Sequence, residues 1–288
     1  MLLEMAIGDA YGAGFEYAPI WQQALNTGSD YAQHPTHTTV RPGMYTDDTQ
    51  MAIGLAEHLV EHRGVTPVDF AETFVRTYQR DRRDGYNQGF QALLGSCRTG
   101  QELLARIQPN SHKNGGAMRS APLGVLSDPI AVIGYTSTQA AVTHNTPEGT
   151  GGAITVALSA HYFLYRLGPK EDLLKFVTEH MPVHLRAPMK LGHLPWDGSG
   201  VGSSANEAVR AALTAVLEET SLSGVLTRCV GFGGDTDTVA AIGMALASCV
   251  EDMVSDLAPT LLNGLERSRY GSDYIKTLDA KLLALVAR

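Results

Sequence analysis

The sequence predicts an all-α protein, and three observations carry that expectation. Apolar residues recur mostly at helical i+3/i+4 spacing, short alternating runs bounded by turn residues are scarce, and a capping residue followed by proline recurs as a helix start. The first helix is expected from about Asp47 to Glu61, where Met51, Ala52, Leu55, Ala56, Leu59 and Val60 form one apolar face and Gly64 ends the segment. Thr66 and Pro67 then cap and open a helix over Val68–Tyr78, and the charged run Arg80-Asp81-Arg82-Arg83-Asp84-Gly85 reads as a solvated loop. Asp128-Pro129 opens another helix. Thr146-Pro147-Glu148 opens a long apolar one through Ala153, Ala157 and Ala160 to Leu167, stopped by Gly168-Pro169. Ser204–Glu219 and Val239–Val250 are further helices, the second apolar all round and therefore expected inside the bundle. Leu194 to Gly202, carrying Trp196 and Asp197, is the clearest long irregular stretch. Because the helices on its two sides look alike, it reads as a functional loop, and residues 1–288 are expected to form one domain.

Composition narrows the function classes. At 44% hydrophobic and 18% charged over 288 residues the chain is a soluble globular type, neither disordered nor fibrous. Lys plus Arg number 22 against 30 Asp plus Glu, a net charge of -8, so no basic face is available for unmodified duplex nucleic acid. Cys97, Cys229 and Cys249 are too few and too far apart for a disulfide framework or a zinc site, and a reducing cytoplasm is the expected compartment. The start of the chain meets acids at Glu4 and Asp9 with no basic n-region, unlike a signal peptide, and no uncharged apolar run reaches membrane-spanning length.

Two acidic clusters stand out. Thr46-Asp47-Asp48-Thr49 precedes one helix, and Gly233-Gly234-Asp235-Thr236-Asp237-Thr238 precedes the most buried one. Capping is the plain explanation, since Asp and Thr are preferred N-caps and acids are favoured at the positive end of a helix dipole. One residue suffices to cap, however, and each cluster brings two acids flanked by hydroxyls. Adjacent like charges near a buried helix end cost several kcal/mol unless neutralised. Magnesium or manganese would do so, taking carboxylates, hydroxyls and water as oxygen ligands. A calcium loop starting at Asp235 fails, because its sixth and twelfth positions hold Ala240 and Leu246 instead of Gly and Glu.

The glycine-rich segments are weaker signals taken singly. Asn114-Gly115-Gly116-Ala117-Met118-Arg119 either leaves backbone N–H groups open to a phosphate at a helix start or marks a turn. Gly12-Ala13-Gly14 does not match the dinucleotide fingerprint. His144, just before a helix, is either a satisfied loop histidine or a site residue.

Taken together, Gly8-Asp9, Phe15-Glu16, Tyr45-Thr46-Asp47-Asp48-Thr49, Asn114-Gly115-Gly116-Ala117-Met118-Arg119, Thr143-His144-Asn145 and Gly233-Gly234-Asp235-Thr236-Asp237-Thr238 resemble, in order, the ADP-ribosylglycohydrolase family, including its dinitrogenase reductase-activating type. The resemblance runs from about Gly8 to Ala247 and is weaker through Arg80 to Gly100. It implies a compact orthogonal helical bundle with a binuclear magnesium or manganese centre at the bottom of a cleft. Thr46, Asp47, Asp48, Asp235, Asp237 and Thr238 would be the ligands. Asn114, Gly115, Gly116, Ala117 and Met118 would lie beside the ADP-ribose, and His144 would line the pocket. Two departures, Lys113 where the family often has Gly and Ser203-Ser204 where a bulky residue is common, bear on acceptor specificity more than on the metal centre. Gly85-Tyr86-Asn87 resembles a family Gly-Tyr-Gly loop in which Tyr86 is either an acceptor contact or a packing aromatic.

The activity so implied is hydrolysis of the bond between ADP-ribose and an acceptor, commonly a protein side chain. Such a step builds oxocarbenium-like charge at the anomeric carbon and needs an acid for the leaving group and an activated water, the second supplied by the metals. Glu16 is the candidate acid/base, Asp47 and Asp237 belong to the catalytic set, and Asp9 orders a ligand or bound water. Two other classes stay open: a silent ADP-ribose binder or structural relative, and another binuclear-metal hydrolase acting on phosphoesters.

Overall fold

A computed structural model describes residues 1–198 and 200–286, so Ser199 of the expected loop lies outside the described residues. Among these the protein is all-α, as expected: helices and turns, four isolated bridges and no β-strand. The chain opens with α1 (Leu2–Ala13) and the short α2 (Ile20–Gln23), followed by a long loop to α3 (Asp47–Val60) and α4 (Pro67–Arg80). Then come α5 (Gln88–Ser96), α6 (Gly100–Arg106), the single turn α7 (Gly115–Met118), α8 (Pro129–Ala141) and α9 (Pro147–Leu164). The second half holds α10 (Leu173–His180), α11 (Val183–Met189), α12 (Ala205–Glu218), α13 (Leu222–Gly231), α14 (Thr236–Ala247), α15 (Pro259–Gly264) and α16 (Ser272–Leu283).

The expected caps form. Thr66 accepts the N–H of Asp69, Asp128 those of Ile130 and Ala131, Thr146 that of Gly149 and Ser204 that of Glu207. Helices α9 and α14 run through the middle of the molecule. α9 packs against α7, α8, α11, α12 and α14, while α14 is covered by α1, α12 and α13, and every one of its residues is buried. Buried apolar side chains form a continuous cluster from Met1 to Leu282.

Several boundaries depart from expectation. The long helix stops at Leu164 rather than Leu167, because Arg166 turns into the left-handed region at φ 50°. The buried helix spans Thr236–Ala247 rather than Val239–Val250, which puts Asp237 and Thr238 inside its first turn. Of the run Arg80 to Gly85, Arg80 closes α4, and the irregular remainder is not wholly solvated. Arg83 is buried over the Tyr45 ring at 3.6 Å and donates to Asp81 and, at 3.1 Å, to Glu266, a partner from far along the chain.

Candidate active site

The site begins with two glycines that let one helix lie on another. A Cβ at Gly8 would stand 2.4 Å from the carbonyl oxygen of Ala240, and one at Gly12 would stand 2.4 Å from that of Thr236 and 2.6 Å from Cα of Asp237. With hydrogen alone at these positions α1 rests on the α14 backbone, and Thr236 Oγ1 donates to Gly12 O at 2.8 Å. This docking carries Asp9, fully buried, to the start of α3. There its carboxylate accepts the N–H groups of Thr46 (3.0 Å) and Thr49 (2.9 Å) and the hydroxyl of Thr46 (2.8 Å).

That arrangement bears on the capping explanation. Neither Thr46 nor Asp235 makes a side-chain cap to its own helix. Asp9 satisfies the α3 donors from another helix, so Asp47 and Asp48 are not consumed as caps. At α14 the chain enters through Gly233 (φ 70°) and Gly234 (φ 83°), and a Cβ on Gly234 would lie 2.1 Å from Val201 O. Val201, of the expected functional loop, bonds through its N–H to Gly233 O and accepts the N–H of Asp235 at 2.8 Å, bracing the acidic turn; none of the loop's described residues lines the cleft. Asn114 Nδ2 donates to Asp235 Oδ2 at 2.9 Å, and Tyr17 N–H to Gly234 O at 2.8 Å, which ties the Glu16 turn to the same loop.

Asp47, Asp48, Asp235 and Asp237 are all buried and all line one cleft of about 710 Å³, with half-buried Glu16 beside them. Burial, followed by mutual repulsion, pushes Asp47, Asp48 and Asp237 well above the usual carboxylate range. Asp235 is also raised by burial, although the Asn114 amide and the Thr238 hydroxyl favour its ionised form. Glu16, Asp235 and Asp237 each offer a carboxylate oxygen within 4.8 Å of the others. Asp48 Oδ1 is buried with no hydrogen-bond partner. A buried carboxylate oxygen without a donor is costly, and a cation satisfies it. The donor set is all oxygen, which suits magnesium or manganese.

A further part of the wall comes from Asn114, Gly115, Met118 and His144. Gly116 and Ala117, expected beside the substrate, are buried behind that wall. The Gly116 carbonyl bonds Ser120 and Gln139, and Ala117 packs in the core. Thr46 is likewise not a lining residue, its hydroxyl being turned to Asp9. His144 is a hydrogen-bonded loop histidine that also lines the cleft. Arg119 donates to Thr143 Oγ1 at 2.8 Å, which leaves that hydroxyl's own proton available to His144 Nδ1, 2.6 Å away, an arrangement that fits a ring proton on Nε2. Burial and Arg119 lower His144 to about 3, so the ring is neutral. Tyr86 proves to be a packing aromatic, its hydroxyl on Gln50 Oε1 at 2.7 Å and its ring edge-on to Tyr78, while Gly85 and Asn87 reach the cleft. Sequence reasoning missed His34, which bonds Glu16 at 2.8 Å, and the Phe90, Arg106 and Ile107 rim supplied by α5 and its surroundings. Lys113 and Ser203, the two departures from the family pattern, both line the cleft.

A family model described as ADP-ribosylglycohydrolase matches residues 1–287. The chain is 30% identical over 260 residues to a Homo sapiens protein named ADP-ribosylhydrolase ARH3, covering 73% of this chain and 71% of that one. It is 26% identical to the Rhodospirillum rubrum ADP-ribosyl-(dinitrogen reductase) glycohydrolase, covering 92% of this chain and 90% of the relative. It is also 26% identical to the ADP-ribosylarginine hydrolase Tri1 of Pseudomonas putida (strain GB-1), covering 86% and 69%. A solved structure titled ADP-ribosylglycohydrolase-related protein complex superposes with a TM-score of 0.70 at 24% identity over 99% of this chain and 95% of that one, a likeness of fold.

Proposed function

The chain belongs to the ADP-ribosylglycohydrolase family, and from that premise we propose that it hydrolyses the glycosidic bond between ADP-ribose and an acceptor side chain on a protein, reversing ADP-ribosylation in the cytoplasm. The observation that carries the reading is the convergence of four buried aspartates and Glu16 in one cleft, with Asp48 Oδ1 unpartnered. An inactive relative has no need to hold such repelling charges together. The proposed ligands of two divalent cations, magnesium or manganese, are Asp47, Asp48, Asp235 and Asp237 with the hydroxyls of Thr46 and Thr238. Thr46 Oγ1 gives its proton to Asp9 and so keeps lone pairs for a cation. Bound there, the cations would neutralise the carboxylates and supply a Lewis-acidic anchor for the ribose hydroxyls.

The chain's own groups do the rest. Asn114, Gly115, Met118 and His144 form the wall against which ADP-ribose lies, His144 donating from Nε2 to a substrate oxygen. Glu16 is the acid/base that moves a proton between its carboxyl and the leaving group or water. Asp9 holds the start of α3, and hence Asp47 and Asp48, in place. The test is release of free ADP-ribose, followed by mass spectrometry, from arginine-, serine- and base-linked conjugates with manganese or magnesium and with chelator. Chelator-sensitive release from one linkage, abolished in Asp47→Ala, is expected. Absence of release from all of them, or full activity of Asp47→Ala, would refute the proposal.

A further inference from the structure

We propose that His34 is a positioning residue for Glu16, fixing one carboxyl oxygen so that the other is left for the chemistry in the cleft. The inference rests on the acid/base reading of Glu16 given above. His34 lies in the loop between α2 and α3 and is 4% exposed. Its Nδ1 accepts the backbone N–H groups of Thr36 and of His37, each at 3.1 Å. A ring nitrogen that accepts two N–H groups carries no proton of its own, so the neutral imidazole holds its proton on Nε2. That proton is donated to Glu16 Oε2 at 2.8 Å. The His37 ring packs against His34 in a T-shaped pair with centroids 4.8 Å apart.

The two segments are clamped to each other as well. Gln22 Nε2 donates to Gly14 O at 2.6 Å and to Gln33 O at 2.8 Å, and Gly14 approaches Ala32 so closely that a Cβ there would lie 2.8 Å from its carbonyl oxygen. Tyr17 N–H is fixed on Gly234 O. The backbone on either side of Glu16 is therefore set, and the side-chain torsions are what His34 adds. With Oε2 accepting from Nε2, a proton carried by Glu16 sits on Oε1. An acid/base that always offers the same oxygen avoids a rotamer search in each turnover.

Two variants separate this role from a merely structural one. His34→Asn keeps an acceptor near the Nδ1 position for the loop N–H groups but has no donor for Glu16. His34→Gln keeps a donor for Glu16 and gives up the loop acceptor. The readouts are kcat and KM for ADP-ribose release from ADP-ribosyl-arginine and ADP-ribosyl-serine peptides, the Mn2+ dissociation constant by calorimetry, and the His34 tautomer by 15N NMR. We expect His34→Asn to lose about tenfold or more in kcat or in Mn2+ affinity, His34→Gln to stay within about threefold by the same standard, and the ring proton to be found on Nε2. A His34→Asn variant as active as wild type, or a His34→Gln variant equally impaired, would overturn the inference, as would a ring proton on Nδ1. The Nε2 tautomer together with no ADP-ribose release by wild type would instead overturn the hydrolase reading and, with it, the catalytic meaning of the contact.

Discussion

Replacing Asp237 by asparagine should stabilise the protein in chelator and destabilise it, relative to wild type, in manganese. Asparagine keeps the shape and the Oδ1 that accepts the Thr238 N–H at 2.9 Å. What it removes is a charge that faces Glu16, Asp235 and Asp48 from full burial. Because the folded-state pKa values of these carboxyls are raised, the folded protein binds protons more readily than the unfolded chain. Their stabilising contribution is complete below the unfolded value of 3.8 and is lost as pH rises through the folded values. Near neutral pH without metal the cluster is thus a liability. Removing one of its charges relieves on the order of 1–2 kcal/mol, the Coulomb energy of like charges about 5 Å apart at the high effective dielectric of an open cleft. At about 2–4 °C per kcal/mol for a chain of this size, the melting temperature should rise by roughly 2–8 °C. With manganese at a hundredfold excess over its Kd, wild type should gain about 2.7 kcal/mol that the variant forgoes, and the order reverses. Thermal unfolding followed by circular dichroism in EDTA and in manganese reads both signs. A variant less stable than wild type in both, or one that manganese stabilises as much as wild type, would refute the reasoning.

Other substitutions probe the scaffold. Gly234→Ala puts a Cβ 2.1 Å from Val201 O at φ 83°; about 1–2 kcal/mol of left-handed strain and a displaced Asp235 should weaken Mn2+ binding at least tenfold by calorimetry, and unchanged affinity would argue against the bracing role of Val201. Gly12→Ala meets backbone 2.4 Å away on α14 and should cost about 1–3 kcal/mol in a urea melt, whereas no change would mean the helices are not in tight contact. Asp9→Asn must turn an amide N–H2 toward the Thr46 or Thr49 N–H groups, a loss of about 3 kcal/mol that added metal should not restore. His144, lowered to about 3 by burial, must be protonated when the chain unfolds in acid. Its folded pKa lies below the usual 6.5, so stability is lost as pH falls from about 6.5 toward 3, by up to about 5 kcal/mol. The margin of wild type over His144→Gln should narrow across that range, and a constant margin would refute the buried neutral imidazole.

What was legible in the sequence followed its local physics. The helices α3, α4, α8, α9 and α12 were marked by cap residues and sufficient length, and the caps at Thr66, Asp128, Thr146 and Ser204 formed as the residues suggest. Helix α1 was not singled out because its residues are apolar and small nearly all round, leaving no polar face to reveal the period. The short helices α2, α5, α6 and α15 are too brief for a clear period, and α16 was not singled out although Ile275, Leu278 and Leu282 stand at helical spacing. In the site, the residue types at Asp47, Asp48, Asp235 and Asp237 announced themselves. The roles of Asp9, His34 and Arg83 did not, because each depends on partners that only the folded chain brings near.

The contact of Gly8 and Gly12 with α14 also bears on how the chain acquires its site. Helical proteins commonly fold quickly because most of their contacts are local. Here the acidic cleft needs α1 from one half of the chain and α14 from the other, with Gly12 meeting Asp237 across most of the polypeptide. A partly synthesised chain that ends before Gly233 has Asp47 and Asp48 without the Asp235 and Asp237 that face them. The cleft is therefore a late product of folding, assembled after the local helices exist and only when the two ends of the chain have found each other.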